Sequence, residues 1–254
     1  MENFDYLIIG GGMAADAAIK GIREIDRTGK IGLVSMEDDP PYDRPPLTKG
    51  LWKDKPLEKI WRHTKDQGVT LYLGRRIVSI DCDKLTALDD RGTTYHGNKI
   101  LLATGGAPRH LPFGEDIIYY RTLESYRKLS KLSHESSDDK IFAVIGGGFI
   151  GAEIAAALSM NHKKVVMLMP EEGIAARIFP HDLSQYVNEY YRGKGVDVRT
   201  GVKVTGEAFQ DGRHHLQVSK GAEVVADYLV AGIGIILNVD VAQAAGLRTD
   251  HGIM

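Results

Sequence analysis

The apolar positions of this chain fall into one pattern twice. Tyr6–Ile9 form an uninterrupted apolar run, glycines occupy 10–12, and an alanine-rich stretch follows. The same order returns at Ile141, with IFAVI, three glycines and then FIGAEIAAAL ending at Leu158. A short, wholly apolar run reads as a buried strand, and the alanine-rich stretch reads as a helix packed on it. A further apolar run follows each pair: IGLVS at Ile31–Ser35 and KVVMLM at Lys164–Met169. Each half therefore opens strand, glycine turn, helix, strand, and the predicted class is α/β.

The remaining positions extend that plan. GVTLYL, RIVSID and LTALDD alternate as short strands do, and the apolar KILLATGG, ending at Gly106, completes the first half. The polar SHESSDDK, Ser133–Lys140, separates a helix from the second glycine turn. VDVRT, VKVTGEAF, HHLQVSK and AEVVADYLVAG then repeat the strand-rich completion. The reading is two doubly wound, Rossmann-like dinucleotide-binding domains, one built from 1–112 and 237–254 and the other from 113–236.

Both glycine turns carry the spacing that dinucleotide binding needs. Gly10, Gly12 and Ala15 give GxGxxA after a strand. The first position allows the tight turn, the second lets backbone approach a pyrophosphate, and the third allows close strand–helix packing, with phosphates on the helix N-terminus. An acid past the second strand is expected on the adenosine ribose, and Glu37 lies 22 residues beyond Ala15. The second turn is a full GxGxxG, Gly146, Gly148 and Gly151, with Glu171 lying 20 residues further on. A carboxylate there accepts from a ribose 2′-hydroxyl and repels a 2′-phosphate, so NADH is expected over NADPH. Arg177 reads as a solvated charge at a helix start.

Charge and cysteine usage narrow the chemistry. Against 32 basic residues stand 34 acidic ones, a net of −2 without a block of like charge, so no nucleic-acid or membrane surface is expected. The N-terminus fits neither a signal peptide nor a membrane span, and a cytoplasmic location is expected. Cys82 is the single cysteine, which leaves no redox disulfide within the chain and no cysteine metal cluster. His214 and His215 adjoin on a predicted strand and face opposite sides, so no metal site is expected.

Three further segments make the pattern specific: PPYDRPPLTKGLWKDKP at Pro40–Pro56, LLATGGAPR at Leu101–Arg109 and AGIGIILNVDVAQAAGL at Ala231–Leu247. With the two glycine turns, including the GGGMAA that contains Ala14, they resemble the FAD-dependent NADH reductases of the ferredoxin-reductase and apoptosis-inducing-factor type. The resemblance implies FAD and NAD as cofactors. It places Arg44 and Lys49 against the flavin, Lys49 near the ring nitrogen that accepts hydride, and Pro45 beside the ring. It implies that Glu153 pairs with Lys49, the two meeting as the halves close over the flavin, and that Phe149, next to Ile150, lies beside the nicotinamide. Ala103, Thr104, Gly105 and Gly232 fall in turns expected near the cofactors. Trp52 and Trp61 read as packing residues.

The chain also departs from the family pattern. Met36 stands where relatives usually have the first acid after the second strand, and Leu237 replaces a proline before Asn238. Relatives continue beyond the AGL of this chain into a flavin-binding segment, so these 254 residues alone are expected to hold FAD poorly. The partner implied is an electron acceptor, a ferredoxin or another small iron–sulfur protein, a rubredoxin, a quinone or dioxygen, with room for a homodimer. A redox-sensing interaction protein, in which NADH sets partner binding, and a flavin-free NAD-binding remnant are the alternative classes.

Overall fold

The computed structural model describes all 254 residues, Met1–Met254. It divides into two compact units, Met1–Arg44 with Pro56–Ala107 and Ile236–Met254, and Pro45–Lys55 with Pro108–Ile235.

In the first unit β1 (Glu2–Ile9) leads through α1 (Met13–Ile25) to β2 (Ile31–Val34), followed by β3 (Val69–Tyr72), β4 (Ile77–Asp81), β5 (Thr86–Asp89) and β6 (Thr94–Leu102). These strands make one sheet in the order β3-β2-β1-β6-β5-β4. β1 runs parallel to β2 and β6, and β2 runs parallel to β3, while β5 is antiparallel to both β4 and β6. The central strand is covered on both faces, which is why it reads as a continuous apolar run. On one side Ile8 packs with Ala15 and Ile19 of α1; on the other Leu7 packs with Phe4 and Tyr95. The expected doubly wound plan is modified between β2 and β3. Four 3-10 turns, at Pro45–Thr48, Gly50–Lys53, Leu57–Ile60 and Thr64–Gln67, take the place of a crossover helix. The prolines of that segment deny a helix its amide donors and clash with its preceding turn.

Two buried carboxylates tie this unit together. Asp16, in the first turn of α1, is fully buried and accepts from Thr64 Oγ1 at 2.6 Å, Arg62 Nε at 2.7 Å and Lys20 Nζ at 2.9 Å. Burial is the largest single influence on its pKa and pushes it up; the three donors together outweigh it, and the pKa ends below the usual range. Asp89 is held in the same way by Arg75 and the hydroxyl of Tyr95, each at 2.7 Å.

β7 (Gly106–Pro108) carries the chain out of the first unit. The second unit follows with β8 (Ile117–Tyr119), α2 (Leu123–Glu135), β9 (Ile141–Ile145), α3 (Phe149–Met160), β10 (Lys164–Leu168), α4 (His181–Gly193) and β11 (Asp197–Arg199). β12 (Val204–Gln210), β13 (Arg213–Val218), β14 (Val224–Ala226) and β15 (Tyr228–Ala231) complete it, before β16 (Ile235–Leu237) and α5 (Asp240–Ala244) return to the first unit. Its main sheet is wholly parallel, β11-β10-β9-β15-β8, and β12-β13-β14 form a separate antiparallel sheet. α3 buries Ala152, Ile154, Ala155, Ala157 and Leu158, apolar on most of its circumference, as a helix enclosed in an α/β layer must be.

Pro45–Lys55 groups with this second unit by contact, although it lies within the 1–112 segment. Its anchors are aromatic. The carbonyl of Leu47 accepts from Trp52 Nε1 at 2.8 Å and from the Tyr120 hydroxyl at 2.5 Å, and the Tyr126 hydroxyl donates to Leu51 O at 3.2 Å. Trp52 meets Tyr126 edge to face at 5.7 Å and is buried, so it packs as expected. No helix in the chain is long and apolar enough to cross a membrane.

Candidate functional site

Each glycine turn sits at the end of a central strand, between that strand and a helix. Gly10 adopts φ +123°, and a Cβ on it would lie 2.1 Å from Ala103 O; Gly146 adopts φ +113°, with Gly232 O at 2.5 Å from the equivalent point. Ala103 and Gly232 are thus the backbone walls that make glycine obligatory at 10 and 146. Gly151 is required by close approach, because a Cβ there would meet Gly146 O at 2.0 Å; the matching position in the first turn, Ala15, is a fully buried small residue.

Gly12 and Gly148 differ from these. Both are helix N-caps, in extended conformation and without a side-chain cap, and a Cβ on either would meet nothing within 4 Å. Open space therefore stands where a side chain would project from each cap, beside first-turn N–H groups of α1 and α3 that no side chain caps, an arrangement that would accommodate a phosphate. Ala14 and Ile150 follow these caps on exposed parts of the first helical turns. The residues present fit two dinucleotides.

Around the first turn, a cavity of about 140 Å³ is lined by Gly10, Met36, Arg75, Arg76, Thr104 and Asn238. Met36 faces it; Glu37 is engaged elsewhere, its Oε1 taken by Arg44 Nη2 and its Oε2 by the Tyr42 hydroxyl, each at 2.5 Å. Arg44 and Glu37, expected on opposite ends of a cofactor, are partners. Thr104 and Asn238 exchange two hydrogen bonds, Oγ1 to Asn238 O at 2.6 Å and Nδ2 to Thr104 O at 2.8 Å, which fix the turn ending at Gly105. Arg75, Arg76 and Asn238 were not singled out by sequence. Arg75 and Arg76 follow a strand by three residues in a segment whose only signal is two adjacent arginines.

The second unit brings Lys49 and Glu153 together. Lys49 Nζ lies 3.1 Å from Glu153 Oε1, and Thr48 Oγ1 donates to Oε2 of the same carboxylate at 2.5 Å. Both partners belong to the second unit, so the pairing rests on the packing of Pro45–Lys55 against α3. This corrects the expectation that it needs the two halves to close. The sequence also missed Thr48, whose hydroxyl fixes the carboxylate while Lys49 remains 59% exposed. Beside the pair is a cavity of about 170 Å³ whose lining includes Trp52, Met160 and Tyr191. Tyr191 donates to Ala152 O at 3.1 Å. Its pKa is raised, first by burial and then by the charge of Glu153.

At the second glycine turn, Phe149 is half exposed and meets Phe179 edge to face at 6.2 Å. Glu171 does not present a free carboxylate, since Arg177 Nη2 lies 2.5 Å from its Oε1. Arg177, expected as a solvated charge, is an exposed but paired one. His214 and His215 point apart as expected, to Glu207 and Glu223, each at 2.8 Å.

The fold is shared by a solved protein, and the sequence is similar to known ones. Apoptosis-inducing factor 1, mitochondrial, of Dictyostelium discoideum is 33% identical over 98% of this chain and 52% of its own length. Peroxisomal monodehydroascorbate reductase 4 of Arabidopsis thaliana is 34% identical over 94% of this chain and 54% of its own length. The putidaredoxin reductase in a covalent complex with putidaredoxin superposes with a TM-score of 0.90 at 29% identity, over 99% of this chain and 63% of that one. This chain thus spans between about half and two-thirds of the length of these relatives. The sequence profile described as pyridine nucleotide-disulphide oxidoreductase matches residues 4–254. With both glycine turns, the parallel sheets and that match in agreement, the chain belongs to the pyridine nucleotide-disulphide oxidoreductase family.

Proposed function

We propose that the chain supplies the nucleotide-holding units of an FAD-dependent NADH oxidoreductase, which takes hydride from NADH and passes electrons to an acceptor. The first unit is the FAD-binding one and the second the NAD-binding one. When bound, FAD would supply the acceptor for the hydride of NADH. The observation that carries the reading is the Thr48–Glu153–Lys49 arrangement, a cation held in place on the segment that the family sets against the flavin.

The chain's own contribution is electrostatic and positional. Glu153, itself held by Thr48, keeps the Lys49 ammonium in position before negative charge develops nearby. Gly12 and Gly148 leave room for phosphates on α1 and α3. Glu171 accepts the adenosine ribose hydroxyls and disfavours a 2′-phosphate, which supports NADH over NADPH. With Cys82 the sole cysteine, electrons leave without a disulfide relay inside the chain. The solved relative joined to putidaredoxin supports a small iron–sulfur protein as the acceptor.

The test is an anaerobic titration of the flavin-loaded full-length protein with NADH, followed by addition of a ferredoxin-type carrier. Bleaching at one equivalent and prompt reoxidation by the carrier are expected. A flavin that NADH leaves oxidised overturns the reading, and one that stays reduced in air with carrier present assigns the protein to the redox-sensing class instead.

A further inference from the structure

The segment between β10 and α4 runs from Met169 to Pro180, and its backbone at Glu172 and Ile174 is captured by one face of α4. Ser184 and Asn188, four residues apart and therefore on the same helical face, are 1% and 0% exposed. Asn188 Oδ1 accepts from Ile174 N at 2.9 Å, Ser184 Oγ donates to Ile174 O at 2.8 Å, and Asn188 Nδ2 donates to Glu172 O at 3.2 Å. Both polar groups of one buried loop residue are thus satisfied by side chains of a single helix. Gly173 sits directly on them, since a Cβ there would lie 2.3 Å from Ser184 Oγ and 2.9 Å from Asn188 Nδ2.

The next residue connects this clamp to the second glycine turn. Ala175 N donates to Gly147 O at 2.7 Å, and Ala175, buried and not glycine, holds φ +54°. A left-handed alanine persists only where its surroundings over-determine it, and such positions gather at functional sites. The same loop carries Glu171 and Arg177 at one end and Phe179, against Phe149, at the other.

We propose that Ser184 and Asn188 are positioning residues for the pyridine nucleotide. By fixing Glu172–Ile174 they hold Glu171 on one side and Ala175 against Gly147 on the other, and so set both the affinity for the nucleotide and its discrimination. The effect on discrimination rests on the reading of Glu171 as the ribose acid; the effect on affinity rests on the contact of Ala175 with Gly147.

The experiment uses flavin-loaded full-length protein and NAD⁺ and NADP⁺ as probes, with dissociation constants from calorimetry, unfolding temperatures, and the flavin reduction rate at saturating NADH. Ser184→Ala, Asn188→Ala and Gly173→Ala are each expected to weaken NAD⁺ about tenfold, a change of about 1.4 kcal/mol. NADP⁺ should weaken less and the saturated rate stay within about twofold, because the clamp acts on binding. Gly173→Ala combined with Ser184→Ala should be milder than the two effects multiplied, since the second removes the atom the first collides with. Unchanged NAD⁺ affinity in Ser184→Ala and Gly173→Ala, with or without lower unfolding temperatures, overturns the proposal; Ser184→Ala loses only a hydroxyl and keeps the test open if Asn188→Ala does not fold. Glu171→Ala separates the two readings. If it weakens NAD⁺ while the clamp variants do not, the clamp fails and the ribose assignment stands; if it changes nothing while they weaken binding, the assignment fails and the clamp stands.

Discussion

Glu171 and Arg177 form an ion pair at 2.5 Å on one loop, the acid 22% and the arginine 81% exposed at their side chains. An ion pair so open to water contributes little to stability. Its effect is on the carboxylate, which carries a compensating charge beside it before any nucleotide arrives.

Glu171→Ala should raise the Kd for NADH about tenfold and narrow the preference over NADPH, because it removes a charged acceptor and a repulsive charge together. Arg177→Ala should widen that preference, since the acid is then uncompensated toward a 2′-phosphate. Competition between the two nucleotides, measured for wild type and both variants, reads this directly. Equal discrimination in all three removes Glu171 from the site.

Lys49→Met should leave NADH affinity nearly intact and slow flavin reduction roughly a hundredfold, on the order of 3 kcal/mol, the usual cost of deleting one electrostatic donor to a transition state. Glu153→Gln should slow the same step. Because Glu153 holds Lys49 at 3.1 Å, the double variant should be less damaged than the two losses summed. Anaerobic stopped-flow rates for the four proteins decide it, and strict additivity makes the two residues independent.

The glycines of the second turn should respond to substitution in opposite ways. Gly148→Ala adds a methyl to open space, so unfolding should be unchanged while NAD⁺ binding weakens about tenfold. Gly151→Ala drives a Cβ to 2.0 Å from Gly146 O and should cost roughly 2–3 kcal/mol of stability. Urea midpoints and calorimetry on both variants test the contrast. Reversed effects would mean that the space above α3 is not a phosphate cradle.

Asp89 should carry part of the loss of stability in acid. Burial, its largest single influence, raises its pKa, but Arg75, Tyr95 and the amides of Thr93 and Arg91 together depress it far below an ordinary aspartate. A depressed folded pKa means stability that is fully present above the unfolded value, about 4, and is lost as pH falls from there toward the folded value. Tyr95, pushed up to about 12 by burial and by Asp89, does not titrate in that range. Asp89→Asn should lower stability at pH 7 by about 2–3 kcal/mol and flatten the decline below pH 4. Denaturant midpoints from pH 2 to 7 show whether the slope belongs to this residue.

What could be read in the sequence was local. Strand, glycine turn and helix lie within about twenty residues of one another, and each imposes its own composition. Lys49 and Glu153 were reachable because two short motifs carry them, whereas Thr48, beside Lys49, was not, because only its hydrogen bond to Glu153 marks it. The partners of Asp16, Asp89 and Ile174 were not, because Arg62, Arg75 and Asn188 are ordinary polar residues until the chain folds them inward. The attachment of the proline-rich segment through Tyr120 and Tyr126 depends on aromatics with no periodic signal of their own.

The second unit is threaded into the chain of the first, which leaves at Ala107 and resumes at Ile236. Thr104 therefore waits for Asn238, and the turn ending at Gly105 lacks its partner until the whole of Pro108–Ile235 has been made. On a ribosome that adds about 5–20 residues each second, this interval lasts several seconds or more. During it the second unit can already pair β9, β10 and β11 and dock Pro45–Lys55, which emerged earlier, while β8 joins the sheet only once β15 is made, a few residues before Asn238. The order of birth then runs opposite to the order of sequence: the amino-terminal sheet begins first and is locked last. Nascent chains stalled before and after Asn238 should differ sharply in protease resistance within Met1–Ala107, and far less within Pro108–Ile235.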